Sequence, residues 1–133
     1  MHKKKIIHRD IKLDNVLLDK EMNPKLCDFG ISSEYNQKNP ITDTGGTPAY
    51  LAPEVIEAQG KISLKSDMWS LGVLLYLLGF GHVPFQAKNM QQLYGKVLVG
   101  EYSVPKQDYL SKEFTDLIKK LLVVNQNKRL SVE

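Results

Sequence analysis

Residues 8–15 read HRDIKLDN, a string rich in charged side chains and hydrogen-bonding groups. Two short strings follow in order, DFG at residues 28–30 and APE at residues 52–54. Each tripeptide by itself is a weak signal, because such short strings recur by chance. The order of all three, with five residues from Asp10 to Asn15 and thirteen from Asn15 to Asp28, forms a specific pattern.

The segment between the first two strings has the character of a hairpin. Residues 16–18 read as a strand, residues 19–24 as a turn that ends in the turn-favouring pair Asn23-Pro24, and residues 25–27 as a returning strand. Residues 31–50 are polar, rich in glycine and threonine, and aperiodic. This predicts a loop of about twenty residues, a length that is usually functional or disordered.

The second half of the chain has helical patterns. Ser66 is predicted to cap a helix whose residues 68–80 are apolar nearly all round, which is typical of a helix at the centre of a domain. Asn89 is predicted to cap a second helix that ends near Val99, and Ser111 a third helix with a single apolar face. The predicted fold class is therefore mainly α with a small β hairpin.

Composition excludes several classes of protein. The chain has 133 residues, 42% of them hydrophobic and 25% charged, as in an ordinary globular domain, and its net charge of +3 is too small to indicate nucleic-acid binding. Cys27 is the one cysteine, so no internal disulfide forms, which fits a reducing compartment. No signal-peptide core is present, and the longest apolar run is far shorter than the roughly 20 residues of a membrane span. These features predict a cytoplasmic or nuclear location, with no membrane partner.

Over its whole length the chain resembles the C-terminal lobe of eukaryotic serine/threonine protein kinases. Residues 47–54 (TPAYLAPE) resemble the substrate-docking segment of that family, residues 66–72 (SDMWSLG) the start of its central helix, and residues 128–131 (KRLS) its arginine motif. Residues 100–105 (GEYSVP) resemble the calcium/calmodulin-dependent-kinase-like group. The resemblance implies a partial kinase domain at residues 1–133 that lacks the N-terminal lobe and the last helix, as expected of a fragment, a truncated gene model or a degraded paralogue.

The resemblance also implies the roles of the site residues. Transfer of the ATP γ-phosphate to a hydroxyl needs a proton acceptor, metal ions on the phosphates and in-line positioning. Asp10 is the expected catalytic base, and Lys12 is expected to contact the γ-phosphate. Asn15 and Asp28 are the expected ligands of Mg²⁺, a hard cation that prefers oxygen. Lys12 and Thr47 together imply transfer to serine and threonine, and Thr47 is expected to lie where the substrate protein docks.

Other residues are expected to support this site. Leu17 lies either under the adenine ring of ATP or in the core as an ordinary leucine, and the sequence leaves both interpretations open. His8 is interpreted as a packing residue that holds the loop. Glu54 and Arg129 are expected to form a buried ion pair. Asp67 is expected to accept hydrogen bonds from the backbone of residues 8–15.

A regulatory hypothesis concerns the predicted loop. In the family, an arginine at the position of Arg9 pairs with a phosphorylated residue of that loop. Four residues before Thr47 this chain carries Asp43, whose carboxylate could pair with Arg9 without phosphorylation. Thr42 and Thr44 flank it as alternative phosphorylation sites. Either the loop depends less on phosphorylation than in relatives, or Asp43 is simply a polar loop residue.

Three functions compete at this stage. The chain is an enzyme, a non-catalytic lobe that acts as a docking scaffold, or an unrelated helical domain that carries the three strings by chance. Asp10, Asn15 and Asp28 favour the enzyme, since a scaffold has no physical need of a proton acceptor beside two metal ligands. Without an N-terminal lobe to clamp ATP, we expect the isolated chain to phosphorylate nothing measurable.

Overall fold

A computed structural model describes residues 1–39, 41–57 and 60–132. Those residues contain the α-helices α1 (Pro53–Ile56), α2 (Leu64–Phe80), α3 (Met90–Val99) and α4 (Lys112–Leu121). They also contain the strands β1 (Ile6–Ile7), β2 (Val16–Leu18), β3 (Pro24–Leu26) and β4 (Ser33–Glu34), and 3-10 turns at His2–Lys4, Leu13–Asn15 and Pro48–Tyr50. The mainly α class with a small β hairpin is confirmed.

Helix α2 is the central element of the core. Trp69 and Val73 on this helix are fully buried, and Phe85 stacks on the Trp69 ring with 5.5 Å between centroids. The helix begins earlier than predicted, because Ser63 is the N-cap and Ser66 is not. The Ser63 hydroxyl accepts from the backbone of the first turn, while the Ser66 hydroxyl accepts from Ser63 N at 3.2 Å. This reciprocal arrangement is a capping box, in which serine stands where glutamate or glutamine is usual.

Helix α4 packs closely across α2. A β-carbon at Gly72 would lie 2.8 Å from the Leu121 β-carbon, so only glycine allows this approach. Ile118 and Leu121 on the apolar face of α4 are both buried against it. The predicted caps of the other helices are confirmed: Asn89 Oδ1 accepts from Gln92 N at 2.9 Å, and the Ser111 hydroxyl accepts from Phe114 N at 3.1 Å.

The predicted hairpin forms, with β2 antiparallel to β3 and Leu17 opposite Lys25. Strand β3 spans Pro24–Leu26, one residue earlier than predicted. The prediction of an irregular loop over residues 31–50 is wrong in part, because β4 pairs with β1 and Ile41 bridges to Ile62. Two-residue strands are too short to show an alternating pattern, so the sequence could not reveal them. Pro40, within that predicted loop, lies outside the described residues.

Residues 8–15 are held by the neighbouring strands β1 and β2 and by hydrogen bonds to Asp67 on α2. Strand β1 leads into this segment, and the 3-10 turn Leu13–Asn15 leads from it into β2. None of the helices in the part of the chain that the structure describes is both long and apolar enough to cross a bilayer.

Candidate active site

The backbone of residues 8–15 is held by a buried carboxylate on α2. Asp67 Oδ1 accepts from Arg9 N at 3.0 Å, and Asp67 Oδ2 accepts from His8 N at 2.9 Å. Asp67 is 2% exposed, and the residue it holds, Arg9, has the left-handed φ of 73°. The expected role of Asp67 is therefore confirmed, and its two bonds fix a backbone conformation that a non-glycine residue rarely adopts.

His8 is fully buried and its ring is hydrogen-bonded to the backbone of Asp10 and of Cys27, which fits its interpretation as a packing residue. Its Nδ1 is 3.2 Å from the backbone N of Asp10 and accepts that hydrogen bond. Because Nδ1 accepts, the imidazole is assigned as the neutral tautomer that donates from Nε2, which lies 2.9 Å from Cys27 O. The ring also packs edge-on against Phe29, with 4.8 Å between centroids.

Four of the predicted site residues meet in one hydrogen-bond network. The Thr47 hydroxyl donates to Asp10 Oδ1 at 2.7 Å, and Lys12 Nζ donates to the Thr47 hydroxyl at 3.0 Å. Lys12 Nζ also lies 3.6 Å from Asp10 Oδ2. Asn15 Nδ2 donates to Asp10 O at 2.8 Å and to its Oδ2 at 3.3 Å. The carboxylate of Asp10 is thus fixed at both oxygens beside a positive charge.

Asp28 lies at the same end of the hairpin as Asn15. Cys27 N donates to Asn15 O at 2.9 Å, and Asp28 follows directly with an exposed side chain and a φ of 58°. Its Oδ1 accepts from Gly30 N at 3.2 Å. The N–H and C=O groups of Cys27 are both hydrogen-bonded to residues 8–15, so Asp28 follows directly on a residue that this segment holds.

Asn15 and Asp28 fit the predicted magnesium site. The amide nitrogen of the buried Asn15 is used by Asp10, so its amide oxygen is the atom that could bind a cation. Within the described ranges, no cluster of three or more histidine, cysteine, aspartate or glutamate side chains could hold a metal alone. Magnesium needs no such cluster, because one or two protein oxygens together with nucleotide phosphates and water complete its coordination.

The two interpretations of Leu17 are now distinguished in part. Leu17 is 56% exposed on β2, so the interpretation as an ordinary core leucine is wrong. Phe29 is 51% exposed despite its contact with His8. Leu17 and Phe29 therefore both present exposed apolar side chains.

Arg9 connects the catalytic segment to the loop that follows the DFG string. Its Nη2 donates to Asp43 Oδ2 at 3.0 Å and to Asp43 O at 2.8 Å, while Nη1 donates to Ile31 O and to the Ser33 hydroxyl, both at 3.2 Å. Gly46 lies against the Arg9 carbonyl, where a β-carbon would come within 2.9 Å. Asp43 thus occupies the position at which the regulatory hypothesis placed it.

The Arg9–Asp43 pair gives a pH-dependent prediction. The hydrogen bond from Arg9 and its positive charge hold the pKa of Asp43 below its ordinary value of 3.8. A carboxyl whose pKa is lowered by folding contributes fully above its ordinary value, and the contribution is lost as the pH falls through the lowered pKa. Loop order should therefore stay constant from about pH 7 to about pH 5 and decrease below about pH 4.

The same pair is tested at neutral pH by Asp43→Asn. We expect faster amide exchange at Gly45 and Gly46, because Arg9 loses its charged partner but keeps Asp43 O. The control is Asp108→Asn, an exposed aspartate outside the helices. Unchanged exchange in Asp43→Asn would leave Asp43 as an ordinary polar loop residue. Thr42 and Thr44 are both exposed beside it and stay predicted phosphorylation sites.

Sequence reasoning missed one side chain that touches this framework. His2 Nε2 lies 2.7 Å from Asp67 Oδ2, across 65 residues of sequence. No periodic or local pattern connects two residues so far apart, so the contact exists only in the folded chain.

Comparison with known proteins agrees with the geometry. The family model described as "Protein kinase domain" matches residues 1–133. The chain is similar to the "Probable serine/threonine-protein kinase CCRP1" of Zea mays, with 40% identity over 134 residues that cover 100% of this chain and 21% of that protein. It is also similar to the "Serine/threonine-protein kinase SIK2" of Gallus gallus, with 40% identity over 131 residues that cover 98% of this chain and 16% of that protein.

The chain therefore spans about a fifth or less of the length of these two curated relatives. The family match nevertheless covers every residue, and both relatives are named as serine/threonine kinases. The chain belongs to the protein kinase domain family.

Proposed function

We propose that residues 1–133 form the catalytic-loop part of a serine/threonine kinase that transfers the γ-phosphate of ATP to hydroxyls of a protein substrate. The observation that carries this proposal is the network of Asp10, Lys12, Asn15 and Thr47 around one carboxylate. A carboxylate that is fixed at both oxygens beside an ammonium group is suited to accept the proton of an attacking hydroxyl during phosphoryl transfer.

Each side chain has a separate task in this proposal. Asp10 orients the attacking hydroxyl and accepts its proton. Lys12 supplies positive charge to the γ-phosphate, and Thr47 links that lysine to the base from the docking segment. Asn15 and Asp28 would hold Mg²⁺, which when bound neutralises negative charge on the phosphates. The exposed side chain of Leu17 is proposed to pack against the adenine ring of ATP.

The scaffold alternative is not favoured. A scaffold would need neither the fixed Asp10 carboxylate nor the buried asparagine that orients it. The proposal includes ATP, Mg²⁺ and a protein substrate as partners and involves neither nucleic acid nor a membrane. It places the protein in the cytoplasm or the nucleus, where its single cysteine would stay reduced.

The proposal is tested with radiolabelled ATP and Mg²⁺. The full-length gene product that contains residues 1–133 is incubated with three peptide libraries, identical except for serine, threonine or tyrosine as the acceptor. We expect label on serine and threonine but not on tyrosine, because Lys12 and Thr47 are the residues that imply this preference. Absence of transfer by the full-length product, or labelling of tyrosine alone, would contradict the proposal.

A further inference from the structure

A polar cavity of about 400 Å³ is lined by three segments of the chain, residues 35–37, 61–65 and 126–127. We propose that it binds a phosphorylated serine or threonine within a segment of another protein. We call it the lysine cavity, because Lys61 and Lys65 both line it. None of its lining residues that the structure describes belongs to the candidate active site, so the proposal does not rest on the proposed function.

The charge of the lysine cavity favours an anionic ligand. Lys61 and Lys65 supply two ammonium groups, and the lining residues within the described part of the chain include no aspartate or glutamate. Lys61 is exposed, and Lys65 Nζ donates one of its three N–H groups to Arg129 O. A phosphoserine carries about −1.5 to −2 charges at pH 7, which matches two lysines better than the single charge of a carboxylate does.

The other lining side chains favour a phosphate that is attached to a peptide. Four of them carry a carboxamide, which both donates and accepts hydrogen bonds: Asn36, Gln37, Gln126 and Asn127. The peptide groups on either side of a phosphorylated residue need both kinds of partner, whereas a phosphate dianion has only acceptors. Tyr35 adds an aromatic wall. The volume is also larger than one phosphate group needs, and it falls within the range of about 300–1,000 Å³ that is usual for ligand pockets.

Hydrogen bonds fix the walls of the lysine cavity before any ligand enters. Gln126 Nε2 donates to Lys61 O at 3.3 Å, and Gln126 Oε1 accepts from the Ser63 hydroxyl at 2.8 Å. These two bonds join the loop after α4 to the segment before α2. On the third wall, Tyr35 N donates to Lys5 O at 2.6 Å. Walls that are already ordered lose little conformational freedom on binding, which favours affinity.

A bound ligand would connect the loop that follows the DFG string to the segment before α2. Residues 35–37 form one wall, and the chain then leads to Ile41, whose backbone bridges to Ile62 on another wall. A peptide that contacts both walls would oppose their separation. Local opening of a loop sets the rate of amide exchange there. We therefore expect binding to slow the amide exchange of residues 35–37.

The test uses the full-length gene product without ATP and a five-residue peptide of alanine and glycine with a central phosphoserine. Calorimetric titration measures Kd, and mass spectrometry measures amide exchange at residues 35–37. Lys61→Gln should raise Kd about tenfold, the size expected for loss of one hydrogen bond to a charged group. Lys61→Arg keeps the charge and should retain most of the affinity. The matched control is Lys20→Gln, an exposed lysine in the hairpin turn that should leave Kd unchanged.

Further probes separate the sources of negative charge. The same peptide without phosphate should neither bind nor slow exchange at residues 35–37, and equal binding by both peptides would overturn the proposal. Equal weakening by Lys61→Gln and Lys20→Gln would also overturn it. Inorganic phosphate that binds as tightly as the phosphopeptide would show a site for small anions instead. A peptide with glutamate in place of phosphoserine should bind more weakly, and an equal Kd would contradict selection of phosphate. These outcomes stand whether or not the protein transfers phosphate.

Discussion

Replacing Arg129 with leucine is expected to lower the free energy of unfolding by about 3–5 kcal/mol, because it leaves Glu54 buried without its charged partner. The predicted ion pair is present, with Arg129 Nη1 2.7 Å from Glu54 Oε1 and Nη2 2.9 Å from Oε2. Arg129 is 1% exposed and Glu54 5%. A bidentate pair removed so completely from water is stable only while both partners are present.

The guanidinium group is satisfied at every donor. Besides Glu54, it donates to the backbone carbonyls of Lys65, Val123 and Val124, at 2.7, 2.9 and 3.3 Å. Its central carbon also lies 5.0 Å from the centroid of the Trp69 ring. One side chain therefore ties the segment after α4 to the start of α1 and to the first turn of α2. Leucine replaces none of these bonds.

Urea denaturation measures this effect, with Lys128→Ala, an exposed neighbour in the same segment, as the matched control. Arg129→Lys should destabilise less than leucine, since it keeps the charge but cannot form the bidentate geometry. Adding Glu54→Gln to Arg129→Leu should recover part of the loss, because the uncompensated charge is removed. A change below about 1 kcal/mol in Arg129→Leu would show that the pair resembles an exposed salt bridge.

Asp10→Asn is expected to reduce kcat by about 10²–10⁴-fold in the full-length gene product, because it removes the proposed proton acceptor. The substitution is nearly isosteric. An asparagine at this position can still accept from the Thr47 hydroxyl through its amide oxygen. Its NH2 group would then face two other donors, Lys12 Nζ and Asn15 Nδ2. KM for ATP should change little, because the nucleotide is held by other groups.

Steady-state transfer from ATP to a serine peptide gives both constants, and Asp108→Asn is the control for loss of one exposed aspartate. The urea midpoint of Asp10→Asn should stay close to that of the unmutated protein, which separates lost chemistry from lost folding. A kcat within about threefold of the unmutated protein would mean that Asp10 is not the base, since general-base catalysis contributes far more.

The family and the central helix could be predicted from sequence because their signals are local. Residues 8–15, the DFG string and the APE string have fixed spacings, and the apolar residues 68–80 are typical of a buried helix whatever surrounds them. Asn89 and Ser111 cap their helices as predicted, because each side chain bonds to a backbone N–H three residues away. Interactions that span only three residues can be predicted from the local sequence, without the rest of the fold.

Errors of prediction arose where the signal was short or shared. Ser63 and Ser66 are three residues apart and both take part in one capping box, so the pattern alone could not say which is the cap. Strand β4 has two residues and pairs with β1, so its existence depends on a partner more than twenty residues away. Residue type alone could not say whether Leu17 is buried or exposed, because leucine occurs at both kinds of position.

Sequence alone determined the family, the mainly α fold and the set of side chains suited to phosphate transfer. Only the tertiary structure decided that Thr47 bonds to Asp10 across 37 residues, that every Arg129 donor is hydrogen-bonded, and that His2 reaches Asp67. The reason is the range of the forces involved. Periodicity, capping and turn preference act over a few residues, whereas hydrogen bonds between distant side chains exist only after α2 has brought their backbones together.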